Sequence, residues 1–110
     1  KLFLSKMPKD KRHALLAQTK MAALTPNTLT DIDELDAELE RINVRNVSID
    51  NEEFVLGITC IAVPIFDDKQ NCIAAIAMHG QVATTPLTVS LSFIPRLQAA
   101  AQELAKTFGF

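Results

Sequence analysis

The chain has 110 residues, enough for one domain around one core, and its 48% hydrophobic content suffices to fill it. Eleven Lys+Arg against 13 Asp+Glu leave a formal charge of −2 with no block of like charges, which excludes a disordered charged tail and a basic stripe that tracks phosphates. The longest apolar runs fall far short of the ~18 residues of a membrane helix, and two cysteines outside any CxxC spacing exclude a disulfide scaffold and a zinc finger.

Reduced thiols, a cytoplasmic location and no membrane partner are therefore expected. The start at Lys1, with Leu2, Phe3 and Leu4 already apolar, suggests a piece of a longer protein.

Pro8 suits the first turn of a helix, and residues 9–19 place Ala14, Leu15 and Leu16 beside the basic Lys9, Lys11 and Arg12, so a helix is expected there. Pro26 and Asn27 break that pattern with a loop. A second helix is expected over residues 31–45. Thr30 is its expected N-cap, Asp31, Asp33 and Glu34 crowd its positive end, and Ile32, Leu35, Leu39 and Ile42 share one face. Asn46 can take the left-handed conformation that ends a helix, and residues 47–50 then alternate apolar and polar as a short strand does.

Residues 58–66 and 72–79 are rich in β-forming side chains and flank the polar loop Asp67-Asp68-Lys69-Gln70, which predicts an antiparallel hairpin. Pairing Phe66 with Asn71 sets Cys60 opposite Ala77, Ala62 opposite Ala75 and Ile61 opposite Ile76. One face of the hairpin then carries Ile61, Val63, Ile65, Ile76 and Met78. The other carries Cys60, Ala62, Ala75, Ala77 and His79, side chains small enough to leave room for a closely packed helix or for a ligand. After Gly80 a last helix runs to about Phe108, with Leu91, Ile94, Leu97, Ala101, Leu104 and Phe108 on one stripe, and Pro95 either kinks it or marks its true start. The order helix, helix, strand, strand, strand, helix defines an α+β fold with an antiparallel sheet.

Several side chains offer chemistry. Cys60 is either a nucleophile or metal ligand or a small core residue, and no helix N-terminus or adjacent cation activates it; His79, where a strand meets Gly80, is either a binding residue or a hydrogen-bonded surface histidine. Asp50, Cys60 and His79 are ligand types for a transition metal but lack a short-spacing signature. The acidic run from Asp31 to Glu40 fits a helix N-terminus and a solvated face, Cys72 fits an inert thiol, and His13 fits a surface position. The three scattered glycines form no phosphate loop, and no cofactor is expected.

Four stretches, LTPNTLTD at 24–31, LDAELERI at 35–42, DNEEF at 50–54 and GITCIAVPIFD at 57–67, resemble in order and spacing the C-terminal effector-binding domain of IclR-type bacterial transcriptional regulators. The resemblance covers nearly the whole chain. It implies the later part of a GAF-like ligand-sensing domain, without the first strands and helix of that domain and without the winged helix-turn-helix through which the parent protein touches DNA. It implies a small organic acid as effector, contacted from Asp50, Cys60, Ala77 and His79, and a homo-oligomer, dimer or tetramer. At the positions of Ala77 and His79 many relatives carry small hydroxyl residues, so this chain lacks one donor and offers an imidazole for the other. Asn46-Val47 replaces the family's usual glycine and aromatic.

The leading expectation is an effector-sensing fragment without catalysis that controls DNA binding by an absent N-terminal domain. The alternatives are a redox sensor or thiol enzyme using Cys60 with His79, and a plain dimerisation module. With its first strands missing, the fragment is also expected to expose a sheet edge.

Overall fold

The structure is a computed structural model that describes residues 1–109. Three helices, α1 (Leu2–Lys6), α2 (Lys9–Ala17) and α3 (Ile32–Arg45), precede strands β1 (Ser48–Asn51), β2 (Ile58–Phe66) and β3 (Cys72–Gln81). Helices α4 (Leu87–Leu91) and α5 (Ile94–Thr107) follow. The strands form one antiparallel sheet in the order β1-β2-β3. The α+β class and the three strands agree with the sequence, which gave no sign of α1. That helix has no side-chain cap and is five residues long, too short to hold by itself, and it persists because Leu2 and Ser5 are buried.

Each expected helix departs from its pattern in one respect. Pro8 is the N-cap of α2 and not a residue of its first turn. The N-cap of α3 is Asp31 and not Thr30. The Asp31 carboxylate accepts the amides of Asp33 at 2.7 Å and Glu34 at 3.3 Å, which places a full negative charge on the positive end of the helix. Asn46 ends α3 in the left-handed conformation, φ 58°, as its residue type predicts. The last helical stretch divides at Phe93, and Pro95 lies in the first turn of α5, so it marks a start and not a kink.

Helices cover both faces of the sheet. Ile61, Val63 and Ile65 form the dry side with Val47 and Ala101, packed by Ile94 and Leu97 of α5. On the opposite face Leu2, Leu16, Leu35, Leu39 and Ile42 of the first three helices pack over Ala62 and Ala75. Leu39 and Ile42 are wholly buried, and each contributes about 1.5–3 kcal/mol by leaving water.

Arg12 ties α2 to α3. The residue is 2% exposed, and its guanidinium donates to Asp36 Oδ1 from Nε at 2.9 Å and from Nη2 at 2.7 Å, with a further contact to Glu40. His13 Nε2 lies 3.0 Å from the same Asp36 oxygen. The acidic run on α3 is thus only partly the solvated face its composition suggests: Asp36 is mostly covered and serves as the anchor for α2, and the surface His13 has a carboxylate partner.

The hairpin register differs from the expected one. The Asp67 carboxylate accepts the amides of Lys69 at 2.9 Å and Asn71 at 2.8 Å, while the Asp67 amide donates to the Asn71 carbonyl at 2.9 Å. The turn therefore closes at Asp67 and Asn71, with Gln70 at φ 65°, and Phe66 pairs with Cys72 instead of Asn71. A bulge between Ile65 and Phe66 adds a second residue to the shift, so that Cys60 faces His79, Ile61 faces Met78 and Ala62 faces Ala77. A shift of two preserves the alternation from Ala74 to His79, but beyond the bulge the shift is one, so Cys72, expected on the face of the large residues, pairs with Phe66 on the face of Cys60 and Ala62.

Candidate functional site

The register sets Asp50 opposite Cys60 and Cys60 opposite His79, so three of the four residues expected to contact an effector form one row across β1, β2 and β3. The next row is Ser48, Ala62 and Ala77, which brings the fourth residue beside them on the same face. Helices α1 and α3 cover the face over Ala62 and Ala75, while Ala77 and His79 are exposed. Small side chains thus serve both of the uses expected of them, close helix packing at one end of the face and open surface at the other.

Each polar member of the row is held differently. Asp50 sits at the end of β1 and its Oδ1 accepts the Glu53 amide at 2.8 Å, the closure of an Asx-type turn. That turn is braced from outside. Thr25 Oγ1 donates to the Glu52 carbonyl at 2.6 Å, Thr28 Oγ1 donates to the Glu53 carbonyl, and Glu52 Oε1 accepts the Gly57 amide at 2.8 Å. Cys60 Sγ lies 3.9 Å from His79 Nε2. Burial first, and the Asp50 carboxylate second, push the Cys60 thiol above its ordinary value, the reverse of what a thiolate nucleophile needs. Beyond His79, Gly80 lies tight against its neighbours: a Cβ there would meet Ser90 Oγ of α4 at 3.0 Å and Thr59 Oγ1 at 3.2 Å, and these hydroxyls would have to give way. Helix α4 therefore fixes the end of β3 on which His79 stands.

The row is half-buried at Asp50 and Cys60, exposed at His79, and lines neither of two grooves on the surface. A groove of about 610 Å³ lies at the other end of the sheet, lined by Val63, Pro64, Gln98, Ala101, Gln102 and residues of the 67–71 turn. A hollow of about 390 Å³ adjoins the β1 side of the row at Ile49, Asn51 and Glu53. Among the described residues no group of three or more His, Cys, Asp or Glu side chains converges closely enough to hold a metal ion. The loop after Asp50 also places Phe54, Val55 and Leu56 in solvent, Phe54 at 68% exposure. These exposed residues and the Thr25 and Thr28 braces were not foreseen as parts of the site. Their one sequence signal is the recurrence of hydroxyl and acidic residues in 25–30 and 50–53, stretches far apart along the chain.

What the row offers chemically is one imidazole, one thiol and one carboxylate beside a shelf of methyl groups. That set can donate a hydrogen bond to a small polar molecule and exclude water from its apolar part. A three-stranded antiparallel sheet flanked by helices on both faces is the fold that carries this row. The chain belongs to the IclR family of bacterial transcriptional regulators: residues 1–106 match the family described as "Bacterial transcriptional regulator IclR C-terminal".

Among its relatives, the "Probable transcriptional regulator SauR" of Cupriavidus necator is 32% identical over 108 residues, 98% of this chain and 43% of that protein. The HTH-type transcriptional repressor AllR of Escherichia coli is 34% identical over 80 residues, 73% of this chain and 30% of that protein. The fold superposes with a TM-score of 0.88 on the inducer-binding domain of the transcription factor PobR from Acinetobacter, solved as a double mutant with 3-hydroxybenzoic acid. That match is at 26% identity and covers 94% of this chain and 62% of that domain. The chain thus spans less than half the length of the curated relatives it matches. No helix among the described residues is long and apolar enough to cross a membrane.

Proposed function

We propose that this chain is the effector-sensing part of an IclR-type regulator, which binds a small organic acid on the open end of the small-residue face and thereby controls DNA binding by a separate N-terminal winged helix-turn-helix. One observation carries the reading: Asp50, Cys60 and His79 stand in a single cross-strand row with Ala77 beside them, half-buried at Asp50 and Cys60 and exposed at Ala77 and His79. The PobR inducer-binding domain, with its bound aromatic acid, supports the ligand class.

In this reading His79 donates an imidazole N–H to the carboxylate of the effector, and Ala77 with the methyl groups around it receives the carbon skeleton. Cys60 packs against both. The domain performs no catalysis, works in the cytoplasm and carries no cofactor of its own. The redox alternative fares worse, because the raised Cys60 thiol leaves little thiolate at neutral pH.

Thermal melting of the chain with 3-hydroxybenzoate, pyruvate and gluconate, representing aromatic, keto and sugar acids, tests the reading. A concentration-dependent rise in Tm with at least one acid, absent in His79→Ala, is expected. A flat response to all three, together with alkylation of Cys60 far faster than Cys72 at neutral pH, would favour the thiol reading instead.

A further inference from the structure

Gly80 follows His79 directly in β3 and pairs with Thr59, so the direction its missing Cβ would take is the face of the sheet opposite to His79. The chain beyond it is tied back step by step. The Val82 amide donates to the Gly57 carbonyl at 2.8 Å, and the Gln81 carbonyl accepts the amides of Thr84 at 3.0 Å and Thr85 at 2.7 Å, which turns the chain towards α4. Within that helix Ser90 returns to Gly80. Its Oγ, the Thr59 Oγ1 and the Thr85 carbonyl oxygen stand 3.0, 3.2 and 3.5 Å from the point that a Cβ on Gly80 would occupy.

The oxygen supplied by α4 is unusual among buried polar atoms. Thr59 and Ser90 are each 1% exposed, and Thr59 Oγ1 reaches the Gly80 carbonyl at 3.5 Å, the long limit of a hydrogen bond. Ser90 Oγ has no hydrogen-bond partner, and among the described residues it is the one buried side-chain oxygen or nitrogen of which this holds. A buried hydroxyl without a partner lowers stability, and alanine in its place would relieve that deficit with the loss of a single heavy atom. What the oxygen does supply is a wall against the Gly80 backbone.

We infer that Ser90 is a positioning residue for His79: through Gly80 it holds the end of β3 from the face on which Ile61 and Val63 are packed, and so sets where the imidazole stands on the other face. Residue 80 must be glycine for this, since a side chain would keep strand and helix apart. Ser90 itself lies across the sheet from the effector and touches no part of it. That the imidazole needs a fixed place rests on the proposed contact with the acid; that Ser90 fixes it does not.

The chain has two histidines, so in proton–carbon NMR spectra without ligand His13 on α2 serves as the reference for the imidazole signal of His79. In Ser90→Ala the gap left against Gly80 frees the strand end. The His79 signal is expected to shift or broaden and that of His13 to stay, while the melting temperature stays or rises because the unpaired hydroxyl is gone. Gly80→Ala alone crowds Ser90 and is expected to move the His79 signal too. Combining the two substitutions offers a methyl group to the space the oxygen leaves and is expected to bring the signal back towards its native position. Affinity for whichever of 3-hydroxybenzoate, pyruvate and gluconate raises the Tm follows the same order, about tenfold weaker in Ser90→Ala and largely recovered in the double variant.

A Ser90→Ala chain whose His79 signal is unmoved, or single shifts that simply add in the double variant, would overturn the inference and leave Ser90 an ordinary core residue. Should none of the three acids bind, the proposed function fails and the histidine signals still decide whether Ser90 positions His79. Should Gly80→Ala not fold, Ser90→Ala decides by itself.

Discussion

The two faces of one sheet obey the same alternation and end in different states. On the α5 side, Ile61, Val63 and Ile65 are large, branched and sealed by one long helix, so that face is core along most of β2. On the α3 side, Ala62 and Ala75 lie under α1 and α3 while Ala77 and His79 lie in the open. The difference teaches that small side chains do not decide whether a face is covered. They permit either outcome, and the lengths and anchoring of the covering helices choose between them.

The contrast predicts a steep asymmetry in stability. Truncating Ile61→Ala opens a cavity in the sealed face and is expected to cost about 2–5 kcal/mol in urea denaturation, whereas Cys60→Ala, one residue away on the open face, costs less than ~1 kcal/mol. Equal losses would mean that the open face is core as well.

The cover over Ala62 and Ala75 depends on the α2–α3 anchor. Replacing Arg12→Ala removes its hydrogen bonds to Asp36 and is expected to cost about 2 kcal/mol and to raise hydrogen exchange across α2. Exchange that rises equally in α5 would point to global destabilisation. The N-cap is worth less: Asp31→Ala is expected to cost about 1 kcal/mol and Thr30→Ala less than ~0.5 kcal/mol, in thermal or chemical unfolding.

The anchor also responds to pH. Hydrogen bonding from Arg12 first, and from His13 as well, holds the Asp36 carboxyl below the usual carboxylate range. Its folded pKa is thus lower than its unfolded one. The stabilisation is complete above the unfolded value and is lost as pH falls through the folded value. Acid titration of stability in Asp36→Asn should show a shallower decline than in the native chain, and identical acid limbs would remove Asp36 from the account.

Much of this architecture was legible in the chain, because period-two alternation and the 3.6-residue period act locally. Alternation alone partitioned residues 58–66 and 74–79 into faces that the structure reproduces, and it failed at Cys72, which the bulge turns to the other face. The register was not legible, since it rests on the Asp67 carboxylate capturing two amides and on a bulge, and neither has a period. That shift matters for the site: the expected pairing leaves His79 two residues beyond Cys60, and the observed one sets them side by side at 3.9 Å. The resemblance to the IclR family selected the four residues and alternation their common face; only the folded turn made them neighbours. Helix α1 and the Arg12–Asp36 anchor were hidden because both exist only through contacts between distant segments.

The central claim is that ligands meet the open end of the small-residue face and not the groove of about 610 Å³ beside α5 and the 67–71 turn. Calorimetric titration with whichever of 3-hydroxybenzoate, pyruvate and gluconate raises the Tm tests it, comparing the native chain with His79→Ala and with Gln98→Ala in that groove. The account predicts that His79→Ala weakens binding by about 1.5–3 kcal/mol, the worth of a charge-assisted hydrogen bond, and that Gln98→Ala leaves the affinity unchanged. Binding that survives His79→Ala and fails in Gln98→Ala would contradict it.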